Sequence, residues 1–201
     1  MGVATARGGP YYGFASLLRG SGIRFDAILP EEAAAYGGDL VLTTRSESAS
    51  CAAPALYEDL LGLDPAVARG MLVEKLRGGA EPGDLVFGVD PGSRTGLSVE
   101  YCGAEIEASS YPSPGELGSH IAEVMSGLRA ARRVVRIGDG DAPAAGAVLR
   151  ALCAPGCPEF ELEVVDEHDT SPRGRNRNQG GKRDMLSARS IRMRGGRPAA
   201  P

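Results

Sequence analysis

The chain has no tryptophan, and only four phenylalanines and six tyrosines in 201 residues. So few rings argue against a surface that binds single strands by stacking bases on aromatic side chains. Four cysteines, Cys51, Cys102, Cys153 and Cys157, are scattered and read as reduced thiols. The Cys153-x3-Cys157 pair is one half of a zinc site without a second half. No segment approaches the roughly 20 apolar residues needed to span a bilayer. The N-terminus lacks a signal-peptide apolar run, and Ala6 breaks the myristoylation pattern that Gly2 would begin. These absences predict a soluble, cytoplasmic protein with no membrane partner. No segment repeats another.

What is present is enough apolar residue, 42 %, for one large domain or two small ones. Residues 1–80 read as a small parallel α/β domain. Gly2 to Thr5, Phe25 to Leu29 and Leu40 to Thr43 are expected strands, and 46–54 a surface loop. Helices are expected from Tyr11 to Leu18, with Phe14, Leu17 and Leu18 inward, and from Ala66 to Leu76, with Val67, Met71, Leu72 and Leu76 inward behind an Asp64-Pro65 cap. Arg7-Gly-Gly-Pro10 could cradle a phosphate, but it matches neither nucleotide fingerprint and reads better as a plain turn. Gly78 to Gly83 has the composition of a joint, and a second domain is expected over 84–201.

That second domain opens on Phe87-Gly-Val-Asp-Pro-Gly-Ser-Arg-Thr-Gly-Leu-Ser-Val99. Leu85 to Val89 is apolar without a helical period, as in a central strand covered on both faces, and it ends in Asp90. Pro91 keeps Asp90 extended, and Gly92 and Gly96 are expected to permit a tight turn before a returning strand, Leu97 to Tyr101. A third strand, Ala104 to Ser109, follows a turn at Cys102-Gly103. Ser113-Pro-Gly-Glu116 opens a helix with Leu117, Ile121, Val124, Met125 and Leu128 on one face. Val134 to Ile137 is a strand, Ala142 to Cys153 a helix, Glu159 to Val165 a strand, and Asp184 to about Arg194 a short helix. The expected fold is a mixed five-stranded sheet with flanking helices.

Three segments of this domain, in order, carry a resemblance. Gly88-Val-Asp-Pro-Gly-Ser-Arg-Thr-Gly-Leu-Ser-Val99 resembles the first-strand motif of RuvC-like Holliday junction resolvases and their YqgF (RuvX) relatives, both in the RNase H-like superfamily. Leu162 to Ser171 is similar to the D-E-R-x-[ST]-[ST] segment of the YqgF group, and Lys182-Arg-Asp-Met-Leu-Ser-Ala188 to the start of the last helix in both. The resemblance covers residues 84 to 197, a little over half of the chain. It implies an RNase H-like fold and a metal-dependent nuclease that leaves a 5′-phosphate and a 3′-hydroxyl.

By that resemblance Asp90, Glu167 and Asp184 are catalytic residues and ligands of Mg²⁺ or Mn²⁺. The chemistry suits them, since phosphodiester hydrolysis gains from two hard cations about 4 Å apart, held by carboxylates from separate elements. Asp184 is the only acid after Asp169, and small Ser187 and Ala188 would let its helix approach the sheet. Taken alone, Asp184 also reads as an acid at a helix N-terminus. Asp166 competes with Glu167, because successive strand residues face opposite ways. In Gly138-Asp-Gly-Asp141, Asp139 is a candidate fourth ligand, and Asp141 is either that ligand or the cap of the next helix. His168 stands where the YqgF group has Arg, so that residue's role is not carried over.

Charge is divided unevenly. Residues 173–201 hold nine of the 22 Lys and Arg and one acid, a net of +8, against −12 for everything before them. Arg173, Arg175, Arg177, Lys182 and Arg183 lie between Glu167 and Asp184 and are candidate phosphate contacts. The expected partner is structured nucleic acid, branched DNA or precursor ribosomal RNA. A homodimer would match a two-fold symmetric junction. A nucleic-acid-binding module with a degenerate site is the alternative. An actin-like or sugar-kinase-like ATPase needs two such halves and a far longer chain.

Overall fold

In the computed structural model, residues 1–48, 53–78, 81–153, 155–167 and 180–199 are described. The chain divides into two units, Met1–Ala80 and Glu81–Pro201.

In the first unit β1 (Gly2–Ala4), α1 (Gly8–Gly20), β2 (Asp26–Ile28), β3 (Val41–Thr43), β4 (Ala55–Tyr57) and α2 (Pro65–Leu76) follow in order. The strands form one parallel sheet, β2-β1-β3-β4. It has a strand more than expected, because Ala55-Leu56-Tyr57 is too short to show a period between Pro54 and Glu58. Phe14 and Leu18 of α1 and Leu72 of α2 enter a core with Val3, Leu40 and Leu42. Asp64 caps α2, its Oδ1 accepting from the Ala66 and Val67 N–H groups. Val67 and Leu72 are buried as expected, but Leu76 is 41 % exposed, because it is the last residue of α2, one turn beyond Leu72 on the same face. Gly8 and Gly9 form the first turn of α1, and the nearby Thr5 and Thr44 hydroxyls and Ala6 N–H are occupied by the Glu47 carboxylate.

The second unit contains β5 (Leu85–Asp90), β6 (Thr95–Tyr101), β7 (Ala104–Tyr111), α3 (Pro114–Gly127), β8 (Arg133–Gly138), α4 (Ala142–Leu152), β9 (Glu161–Val165), α5 (Gly180–Met193) and β10 (Arg197–Ala199). Its sheet is mixed, in the order β10-β9-β8-β5-β6-β7. β5, β6 and β7 make an antiparallel meander, and β8 and β9 add parallel to β5. The sheet has six strands where five were expected. Arg-Pro-Ala carries no strand signal, but Pro198 is tolerated on an edge strand that pairs with β9 alone. The β6–β7 turn places Cys102 and Gly103 both at positive φ, as a two-residue hairpin loop requires. Leu117, Ile121, Val124 and Met125 of α3 are fully buried, as their spacing predicts, and Ser113 caps that helix.

Helix α5 packs across β5, β6, β7 and β8. A Cβ on Gly88 would lie 2.2 Å from the Ala188 carbonyl oxygen, and one on Gly96 2.2 Å from that of Asp184. Gly96 is therefore explained by the helix backbone above it and lies inside β6, so its expected turn role is corrected; Gly92 does lie in the β5–β6 turn, without positive φ. Ser187, Ala188, Ile191 and Arg192 form the buried stripe of α5. Arg189 pairs with Glu105, and the Arg192 Nη2 lies 3.5 Å from Glu100 and 3.4 Å from Glu105. Two of the nine C-terminal cations thus hold the helix to the sheet.

Gly96→Ala should destabilise the protein by about 2 kcal/mol or more, because the obstacle is backbone and cannot rotate away. Chemical denaturation followed by circular dichroism measures this, and an unchanged midpoint would show that α5 does not need the bare Cα.

Candidate metal and nucleic-acid site

Strand alternation carries Gly88 and Asp90 on the β5 face that meets α5, and Asp90 pairs in register with Gly96 of β6. Gly96 in turn lies beneath the Asp184 backbone. Three elements therefore converge: the end of β5 with Asp90, the segment after β9 with Glu167, and α5 with Asp184. Their proximity is visible in the acidity of Asp90. Burial first, then the charges of Glu167 and Asp184, push its pKa from 3.8 up to about 7. The Ser187 hydroxyl, hydrogen-bonded to the carboxylate, and more weakly the Arg183 charge act the other way.

Glu167 is half-buried and also raised, by burial first and then by Asp139 and Asp141, while a hydrogen bond from the Gly140 N–H opposes the shift. That N–H lies 3.2 Å from Oε1. The Glu167 N–H donates to Asp139 Oδ1 at 3.1 Å. A Cβ on Gly138 would fall 1.8 Å from Oε1, and one on Gly140 2.4 Å from Oε2, so the carboxylate rests on bare backbone. Asp166 is exposed, with its carbonyl accepting from Arg194 at 3.4 Å. Of the two competing acids, Glu167 is the one beside Asp90.

Asp141 caps α4, its Oδ1 accepting from the Ala144 N–H at 3.0 Å. Asp139 is exposed and adjoins Glu167. Asp184 sits in the second turn of α5, whose described part begins at Gly180, so it is not the expected first-turn acid. Arg183 and Lys182 are exposed on that same helix. Lys182 lines a cavity of about 250 Å³ with Ala108, Met185, Leu186 and Arg189. Arg173, Arg175, Arg177 and His168 lie outside the described residues. Cys102, Cys153 and Cys157 are free thiols.

The sequence did not single out Ser187 as a partner of Asp90, nor Gly138 and Gly140 as a seat for Glu167. The first was legible as one helical turn from Asp184. The second had a signal in the Gly-Asp-Gly spacing, which drew attention to its acids instead.

Between about pH 4 and 7 the folded protein keeps a proton on Asp90 that the unfolded chain has released, so the carboxyl makes stability fall as pH rises through that window. With EDTA present, Asp90→Asn should therefore melt above the wild type at pH 8, and the two should converge as pH falls toward about 4. Equal melting temperatures at pH 8 would show that burial and the charges of Glu167 and Asp184 do not disfavour ionised Asp90. No family model, curated protein or solved structure matches this chain.

Proposed function

We propose that this protein is a metal-dependent endonuclease of the RuvC/YqgF kind, with an RNase H-like domain, that hydrolyses phosphodiester bonds in branched DNA or structured RNA such as precursor ribosomal RNA. The observation that carries this reading is the gathering of Asp90, Glu167 and Asp184 from three elements far apart in sequence, close enough to raise the pKa of Asp90. Carboxylates whose pKa is raised by burial and by one another mark candidate functional sites. The meander followed by parallel strands, with the last acid on a helix crossing the sheet, agrees with the fold that the motif resemblance implies.

The three residues offer carboxylate oxygens, the donor type that suits Mg²⁺ or Mn²⁺. Asp90, Glu167 and Asp184 would hold the ion, which when bound offsets their repulsion and supplies Lewis-acid stabilisation of charge on the phosphate and a more acidic water. The chain's own part is orientation. Ser187 donates to Asp90 and fixes its carboxylate. The Gly140 N–H and the glycine seat aim Glu167. The α5 backbone, lying on Gly96, fixes Asp184. Arg183, whose charge acts on Asp90, and Lys182 next to it on α5 would offer positive charge to a phosphate backbone. Residues 173–177 would extend this charge. A two-fold symmetric junction would be cut by a homodimer. Among the described residues no helix is long and apolar enough to cross a membrane.

Four-way junctions, duplexes and structured RNA incubated with Mg²⁺, Mn²⁺ or EDTA test the reading. Cleavage should require the metal, and Asp90→Asn, Glu167→Gln and Asp184→Asn should each lower it by about 100-fold or more while the fold persists. Full activity in Asp184→Asn would remove the three-acid assignment. Tight binding without cleavage would favour a binding module with a degenerate site.

Neutralising Arg173, Arg175 and Arg177 together, or Lys182 and Arg183 together, should weaken binding uniformly across sequences. The slope of log K against log salt should flatten by about 0.9 for each duplex phosphate that the variant no longer neutralises. Affinity and slope unchanged in both variants would leave the basic segment a solvated surface.

A further inference from the structure

We infer that Asp139 is a positioning residue that locks Glu167 in place, rather than a metal ligand in its own right; the inference rests on the metal-site reading above. The parallel ladder between β8 and β9 ends at Gly138 and Val165, two residues before Glu167. A carboxylate two residues past the end of a strand would ordinarily have a loose backbone. Here the turn after β8 takes over. The Asp139 N–H donates to the Val165 carbonyl at 3.1 Å, continuing the pairing by one step. The Asp139 carboxylate then accepts the Glu167 N–H at 3.1 Å, and the Gly140 N–H donates to Glu167 Oε1 at 3.2 Å. Two successive residues, Asp139 and Gly140, thus hold Glu167 at both its backbone and its carboxylate. Gly138 and Gly140 lack the Cβ atoms that would displace that carboxylate. Asp139 bears on Glu167, whereas the acids that bear on Asp90 are Glu167 and Asp184. Asp141, the other acid of the turn, is engaged in capping α4.

A ligand and a positioning residue respond differently to Asn, which keeps an acceptor oxygen for the Glu167 N–H but loses the charge, and alike to Ala, which loses both. Two measurements on the wild type, Asp139→Asn and Asp139→Ala decide between them. Amide hydrogen exchange of Glu167 in the metal-free protein should be slow in the wild type and Asp139→Asn, and about tenfold faster in Asp139→Ala. Mn²⁺ titrated by calorimetry should bind Asp139→Asn within about threefold of the wild type and Asp139→Ala about tenfold or more weakly, as expected for a group that orients a ligand. Asp139→Asn losing as much Mn²⁺ affinity as Asp139→Ala would make Asp139 a ligand and overturn the inference. So would a Glu167 amide that exchanges alike in all three proteins. A wild type that binds no Mn²⁺ would count against the metal-site reading itself, while the exchange rates, measured without metal, would still decide whether the lock exists.

Discussion

Helix α5 lies on the sheet at a separation that only bare Cα atoms allow, and much of the second unit follows from that close packing. Gly88 and Gly96 leave the room, and Ser187 and Ala188 on the helix side add little bulk. The close approach sets Asp184 above the pair Asp90–Gly96, where a helix held off by larger side chains would leave it too far to influence Asp90. It also carries the Arg192 guanidinium into the interior, leaving it 5 % exposed. A buried cation is tolerated only with compensation, which Glu100 and Glu105 provide. Its Nε and Nη1 have no hydrogen-bond partner among the described residues, so the fit is electrostatic more than directional.

The carboxylates at the other end of that interface work against folding. Burial and two like charges make ionised Asp90 unfavourable, and burial first, then Asp139 and Asp141, act on Glu167 in the same sense. Elsewhere in the unit the acids that are gathered are matched: Glu105 by Arg189, Glu163 by Arg136 at 2.7 Å, Glu161 by Arg132 at 2.7 Å. The contrast between these ion pairs and the mutual repulsion felt by Asp90 sets one end of the sheet apart. Local disagreement with otherwise consistent folding rules is expected at functional sites, and the proposed metal site is where it occurs here.

Much of this was legible in the residues themselves. The apolar run ending in Asp90, the one-faced pattern of α3 and the cap residues Ser113, Asp64 and Asp141 each follow a strong local rule, and the structure places them as those rules require. The short edge strands β4 and β10 were not legible, because three residues carry no period and their pairing is decided by the neighbouring strand. Gly96 reads in the sequence as a turn residue but lies within β6. A turn and a close approach both ask for Gly, and only the packing of α5 on Gly96, or of a carboxylate on Gly138, tells them apart. Charge counting had the same weakness, since Arg189 and Arg192 add to the basic total while being engaged with acids of the sheet.

The position of α5 after strands β5 to β9 has a consequence for how this unit is made. Strands β5 to β9 can pair as they leave the ribosome, and the meander is local in sequence, so the sheet can form early. Asp184 arrives only with the last helix, after every other component of the acidic cluster has been synthesised. A nascent or prematurely ended chain would therefore present Asp90 and Glu167 on an uncovered sheet, without their third partner or the Ser187 hydroxyl. The three acids can come together only once α5 has been translated.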